Sequence, residues 1–257
     1  MKRALCLAYG IACYLAFQAV FLYLLGFLAN FGVPKSIDGG ASASPGVAIG
    51  VDIALIALFG LQHSIMARPA FKRRWTRWVS AAIERSTYVL ATALVLALLF
   101  AAWIPIDTQV WHLELSWLRA SVWAVFGAGV ALCLAATFMI DHADLFGLRQ
   151  IWCCWRGRAY RPTPFQVSWL YKWIRHPLYL GFLLVFWATP DMSLGHLVFA
   201  LGMSAYLAVG ARLEERDLMT HFGASYAKYR ESVPMLVPRP GRRCPLQPLG
   251  ASMSEKH

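Results

Sequence analysis

ALCLAYGIACYLAFQAVFLYLLGFLANFGVP, residues 4–34, carries no charged side chain. An α-helix rises 1.5 Å per residue and about 20 residues cross the roughly 30 Å hydrocarbon core of a bilayer, so this stretch spans a membrane with residues to spare. Lys2 and Arg3 before it and Ala41-Ser42-Ala43 after it have the layout of a cleavable leader. The apolar part of such a leader runs only about 7 to 15 residues, so the longer stretch reads as a retained helix.

Working outward, further uncharged or nearly uncharged stretches of spanning length follow: Gly46–Ala67, with Asp52 near its start, then Ser86–Ile106 and Ala120–Ile140. The last apolar region, Pro177–Ala211, is interrupted by Thr189-Pro190-Asp191, where proline favours a turn over a continuous helix. Its first arm, Pro177–Pro190, would rise about 21 Å, short of the membrane thickness. Amphipathic Trp169, Tyr171 and Trp173 extend its lower end. The composition agrees: 59% of the 257 residues are hydrophobic and 14% charged, too apolar for one water-soluble core. Eleven Trp and ten Tyr suit lipid interfaces. The six cysteines form no CxxC pair and read as small core residues, with no metal site implied.

The net charge of +11 would suggest a nucleic-acid partner in a soluble protein, but its placement excludes one. In a six-span arrangement, all but Lys35 and Arg119 of the 24 Lys and Arg residues fall in the N-terminus, the loops after spans two and four, and the C-terminal tail. Short basic loops stay in the cytoplasm, so both termini are assigned there, with anionic lipid headgroups as the partners of the basic rim. The expected fold is an all-α, multi-pass transmembrane bundle of six spans, or five if the final hairpin is one re-entrant element. Residues 1–212 form the bundle, with a site at its cytoplasmic end, 213–233 an interfacial helical lid, and 234–257 an irregular tail rich in proline. Gly127, Ala131 and Ala135, four residues apart, form a smooth stripe expected to receive a neighbouring helix.

Residues capable of chemistry gather at the cytoplasmic ends of the spans: Gln62-His63-Ser64, Asp141-His142 with Asp144, Arg175-His176 with Tyr179, and Glu214-Glu215-Arg216-Asp217. Each group alone has a plain structural reading. His63 suits a hydrogen-bonded interfacial histidine, and Asp141, at a helix C-terminus, requires a partner such as Arg149. Four groups distant in sequence but at one depth can converge on one site. In RHPLYLG, residues 175–181, Pro177 suits the first turn of a helix whose free N–H groups, with Arg175 and His176 beside them, favour an anionic group such as a carboxylate. Leu218, Phe222 and Tyr226 then form an apolar stripe fit for a lid.

The pairing of RHPLYLG with EERDLMTHFGASYAKY, residues 214–229, followed by Val233-Pro234, resembles the C-terminal half of the isoprenylcysteine carboxyl methyltransferase-like membrane enzymes. FLYLLGFLANFGVPKSID at 21–38, LQHSIMARP at 61–69 and DLFGLRQ at 144–150 extend the resemblance across nearly the whole chain, to methanethiol S-methyltransferases of the nurim-related group. Asp141 departs from the Asn expected before that His. The resemblance implies an S-adenosylmethionine site open to the cytoplasm and lined by Tyr171, His176, Pro177, Leu178, Tyr179 and Glu214. Arg175, at the same helix start, is assigned to the cofactor carboxylate. No GxGxxG is present, so the cofactor must bind the bundle itself. The implied reaction joins a methyl group to a small thiol, methanethiol, giving dimethyl sulfide in a bacterial cytoplasmic membrane. Other thiols, a lipid carboxylate, or a non-enzymatic role like that of nurim are the alternatives. An alkanethiol is a weaker acid than a cysteine, whose pKa is about 8.5, so a base is required. By location the candidates are His142, His63 and Glu215, in that order.

Overall fold

The structure, a computed structural model, describes residues 2–162, 167 and 169–238. Of the expected irregular tail, residues 239–257 lie outside the described residues. Among those described, five helices are long and apolar enough to cross a membrane: α1 (Lys2–Ala29), α2 (Pro45–Ala67), α4 (Glu84–Ala102), α5 (Ser116–Ile140) and α9 (Leu194–Phe222). Short helices fill the connections: α3 (Pro69–Trp75), α6 (His142–Leu145), α7 (Leu148–Arg156), α8 (Pro177–Trp187) and α10 (Ala224–Ser232). The chain is an integral membrane protein with an all-helical bundle. Leu15, Leu22, Leu58, Leu94, Leu201 and Val209 stand exposed on its long helices, as lipid-facing side chains do, whereas Asp52, Ser86, Thr92 and His196 are buried.

Local chemistry sets the boundaries. Pro69 bars Arg68 from the helical region, so Arg68 is extended and the chain leaves α2 to restart as α3. Pro177 opens α8 at a position where a missing N–H costs nothing. Ser193 caps α9 by accepting from the His196 N–H at 3.0 Å. The last apolar region breaks where proline predicted: α8 ends at Trp187, and α9 begins at Leu194. With 11 residues, α8 rises about 16 Å and does not cross the bilayer by itself. Between α8 and α9, β2 (Asp191–Ser193) pairs antiparallel with β1 (Gln109–His112), a small ribbon that the periodicity did not reveal.

Three expectations change. Helix α9 continues unbroken to Phe222, so residues 213–222 are the end of a long helix, and α10 is the separate short one. The first residues of the supposed tail are docked: the carbonyls of Pro234 and Met235 accept from the Arg175 and His176 N–H groups, at 2.9 and 3.1 Å. The small-residue face of α5 that receives a helix is that of Gly129, not Gly127. A Cβ on Gly129 would come within 2.9 Å of the Gly181 carbonyl on α8, whereas one on Gly127 would meet nothing within 4 Å. Helices α5 and α8 approach backbone to backbone, and this requires a glycine on each.

An aromatic core of Phe27, Phe100, Trp103, Phe186 and Phe199 ties α1, α4, α8 and α9 together. Toward the other end of the bundle the packing opens into a cavity.

Candidate active site

The cavity has a volume of about 420 Å3, within the roughly 300–1,000 Å3 typical of small-molecule sites. Leu24, Phe59, Leu96, Phe182, Phe186 and Met203 give it an apolar wall; Arg68, Arg85, Glu214 and Asp217 supply its charges. It contains five of the site residues read from the sequence: His63, His142, Leu178, Tyr179 and Glu214. Residues of α2, the α5–α6 junction, α8 and α9, distant in sequence, thus meet on the wall of this cavity.

Tyr179, near the start of α8, donates its hydroxyl to Glu214 Oε2 at 2.7 Å, and its ring stacks on His176 with centroids 5.0 Å apart. Arg68 closes the cavity edge through an ion pair with Asp217 at 2.8 Å. His142 is held between Tyr14, at 2.9 Å from Nε2, and Thr137, at 2.9 Å from Nδ1, with Phe138 stacked on its face. Burial pulls the His142 imidazole below its ordinary value, and Asp141 opposes this only in part. Asp141 itself takes φ 133°, a backbone region that short polar side chains tolerate better than others. Its carboxylate accepts from the Asp144 N–H at 3.0 Å and from Arg149 at 2.9 Å. The partner required by an anion at a helix C-terminus is thus the one expected, and the same carboxylate caps α6.

Tyr171, Arg175, His176, Pro177 and Glu215 do not line the cavity. Glu215 is buried and already engaged: Oε1 accepts from Arg175 Nε at 2.7 Å and lies 3.1 Å from His176 Nε2, while Arg230 sits 3.4 Å from Oε2. Its oxygens are turned to these partners and away from the cavity wall. Arg175, placed by the sequence at an anionic ligand, instead binds Glu215 and donates to the carbonyls of Arg230 and Val233. It joins α8, α9 and α10 rather than facing the cavity. Tyr171 lies behind the site, its carbonyl accepting from Tyr229 at 2.6 Å. Burial pushes its phenol up, and the Glu214 carboxylate adds to the shift.

Tyr88, Thr92, Tyr206, Arg68 and Arg85 also line the cavity, and none was singled out from the sequence. Tyr88 and Thr92 stand four residues apart in α4, hence on one face, and Thr92 is the one polar residue after Tyr88 in that helix. That spacing of hydroxyls was the available signal. Among the described residues no group of three or more His, Cys, Asp or Glu is arranged to hold a metal ion.

No family profile and no solved structure matches the chain. Curated relatives do. Methanethiol S-methyltransferase 2 of Bradyrhizobium diazoefficiens is 52% identical over 240 residues, 92% of this chain and 91% of the relative. A methanethiol S-methyltransferase of a Pseudomonas species is 50% identical over 233 residues, 91% and 90% of the two chains. More distantly, nurim of Xenopus laevis is 33% identical over 177 residues, 66% of this chain and 62% of that protein. Half-identity over nine-tenths of both chains places the chain plainly: it belongs to the methanethiol S-methyltransferase family.

Proposed function

We propose that the protein transfers a methyl group from S-adenosylmethionine to methanethiol, giving dimethyl sulfide, in the bacterial cytoplasmic membrane, with the cavity opening toward the cytoplasm. The observation that carries this reading is the near full-length identity to relatives named for that activity. The basic rim supports the orientation, because cytoplasmic loops retain Lys and Arg.

The residues present suit the cofactor. Tyr179 offers an aromatic face to a cationic group, Glu214 an acceptor for a diol or a counter-charge, and Leu178 an apolar contact. Arg68 and Arg85 are the cavity cations that suit a carboxylate. Bound there, S-adenosylmethionine supplies an electrophilic methyl group on a sulfonium. The Tyr179 hydroxyl holds the Glu214 carboxylate in place. Arg175, His176 and Arg230 act one layer back, fixing Glu215 and with it the turn of α9 that presents Glu214. Pro177 starts α8 in the register that brings Leu178 and Tyr179 to the cavity. The apolar wall accepts a small thiol arriving from lipid and excludes water, and a water-poor site favours a reaction in which a cation and an anion become neutral. His63 and His142, both on the cavity wall, are the groups able to take a proton.

The test is incubation of purified protein in detergent with methanethiol and S-adenosylmethionine, with dimethyl sulfide measured in the headspace. Product is expected. Cofactor binding without product would move the acceptor to another thiol or a carboxylate. Failure of both would leave a nurim-like, non-enzymatic role.

A further inference from the structure

The two histidines on the cavity wall are held by the same three-residue arrangement. His63 Nδ1 lies 3.2 Å from Thr92 Oγ1, and the Thr92 hydroxyl already donates its hydrogen to the Tyr88 carbonyl at 3.0 Å. A hydroxyl has one hydrogen, so Thr92 can only accept from the ring. His63 therefore carries its proton on Nδ1 and its lone pair on Nε2, which accepts from the Tyr88 hydroxyl at 2.7 Å. His142 repeats the pattern: Thr137 donates to the Leu134 carbonyl at 2.8 Å and accepts from Nδ1, leaving Nε2 to the Tyr14 hydroxyl. The two differ in one respect. Tyr88 lines the cavity and Tyr14 does not. A ligand can thus reach the basic nitrogen of His63 through a phenol that faces it, whereas the basic nitrogen of His142 is covered by a residue outside the cavity wall.

We propose, resting on the thiol methylation set out above, that Tyr88 is a catalytic residue that takes the thiol proton and passes its own to His63. The S–H bond breaks and its electron pair stays on sulfur as thiolate. The proton binds Tyr88 Oη as the Tyr88 O–H proton moves to His63 Nε2, so the phenol stays neutral and the imidazole becomes the cation. After product leaves, the proton returns along the same route to water. Thr92 is a positioning residue: it fixes the tautomer that leaves Nε2 free to accept. The surroundings suit an anionic sulfur. The Arg85 guanidinium lies 5.3 Å from the Tyr88 ring centre, and Arg68 is on the same wall. Glu84 on α4, Tyr179 on α8 and Tyr206 on α9, the last with its ring 6.1 Å from that of His63, are other ionisable groups close to the pair, and the cavity also holds His142, Glu214 and Asp217.

The experiment compares wild type with Tyr88→Phe and Tyr14→Phe in detergent, measuring dimethyl sulfide against pH, with binding of labelled S-adenosylmethionine as the check on folding. Loss of a proton relay costs about 100-fold or more. Tyr88→Phe should lose about that much in kcat at neutral pH with KM for methanethiol little changed. Its rate should then climb about tenfold per pH unit as the free thiol ionises by itself. Tyr14→Phe should fall far less. A Tyr88→Phe protein that keeps the wild-type kcat and pH profile overturns the relay. If wild type makes no dimethyl sulfide, the methylation reading fails instead, and the two failures are distinct. Nitrogen NMR of 15N-histidine-labelled protein without substrate reads the tautomer directly: His63 protonated on Nδ1 is expected in wild type, with that preference lost in Thr92→Val. Protonation on Nε2 in wild type overturns the proposal.

Discussion

Glu214 and Glu215 are neighbours in sequence with opposite situations. The Glu214 side chain is 48% accessible and meets the cavity; that of Glu215 is 7% accessible and pinned among Arg175, His176 and Arg230. Removing one partner from a buried charge cluster strands the others, at a cost of about 3–5 kcal/mol. Glu215→Ala should therefore lower thermal stability in detergent by that order, whereas Glu214→Ala should keep the melting temperature and weaken cofactor binding. Equal melting temperatures for the two variants would contradict this division. His142 gives a pH prediction. Its imidazole sits below the ordinary value because burial penalises the charged form, so protonation favours the unfolded chain. The stability it contributes is full above the ordinary imidazole value of 6.5 and declines as pH falls through the lowered one. On acidification from about pH 7.5 to 5.5, wild type should lose more melting temperature than His142→Gln. The same loss in both proteins would show that another group governs the acid response.

At the scale of elements, the decisive contact is that of α5 with α8. A Cβ on Gly181 would lie 2.7 Å from Cys133 Sγ and 2.9 Å from the Gly129 carbonyl, a backbone atom that cannot swing aside. Overpacking of this kind costs about 1–3 kcal/mol, against the roughly 1 kcal/mol that Ala gains over Gly in a helix interior. Gly181→Ala should be net destabilising, while Gly127→Ala, with nothing within 4 Å, should be neutral or slightly stabilising in the same melting assay. The reverse order would mean that Gly127 packs against something outside this chain. Periodicity could not choose between the two glycines, because Gly127 and Gly129 both lie in an apolar helix and nothing local marks which face meets α8. The break after α8 was legible, since Thr189-Pro190-Asp191 favours a turn over a continuous helix.

At the scale of the molecule, the proposed function puts the cavity end in the cytoplasm, on the strength of the basic loops. With the six native cysteines replaced by alanine, Ser42→Cys should be labelled by a membrane-impermeant maleimide in intact spheroplasts, and Arg158→Cys only after lysis. Both positions are exposed, so labelling reports the side of the membrane. The opposite pattern would invert the bundle and put the charged edge of the cavity outside.

The sequence alone determined that this is a multi-pass helical membrane protein, that its last apolar region breaks at Pro190, and which family it resembles. Those properties follow from local facts: the length of uncharged runs, proline and motif spacing. Tertiary structure decided which of the polar residues at one depth share a cavity. Arg175 and Glu215 looked equivalent to His63 and Glu214 as neighbours of motifs, yet they are turned into a buried ion cluster, while Tyr88 and Thr92, two hydroxyls four residues apart on α4, are turned onto the wall. Direction around a helix axis is set by what the opposite helix offers, an ion partner for one face and space for the other, and that information resides in no single segment.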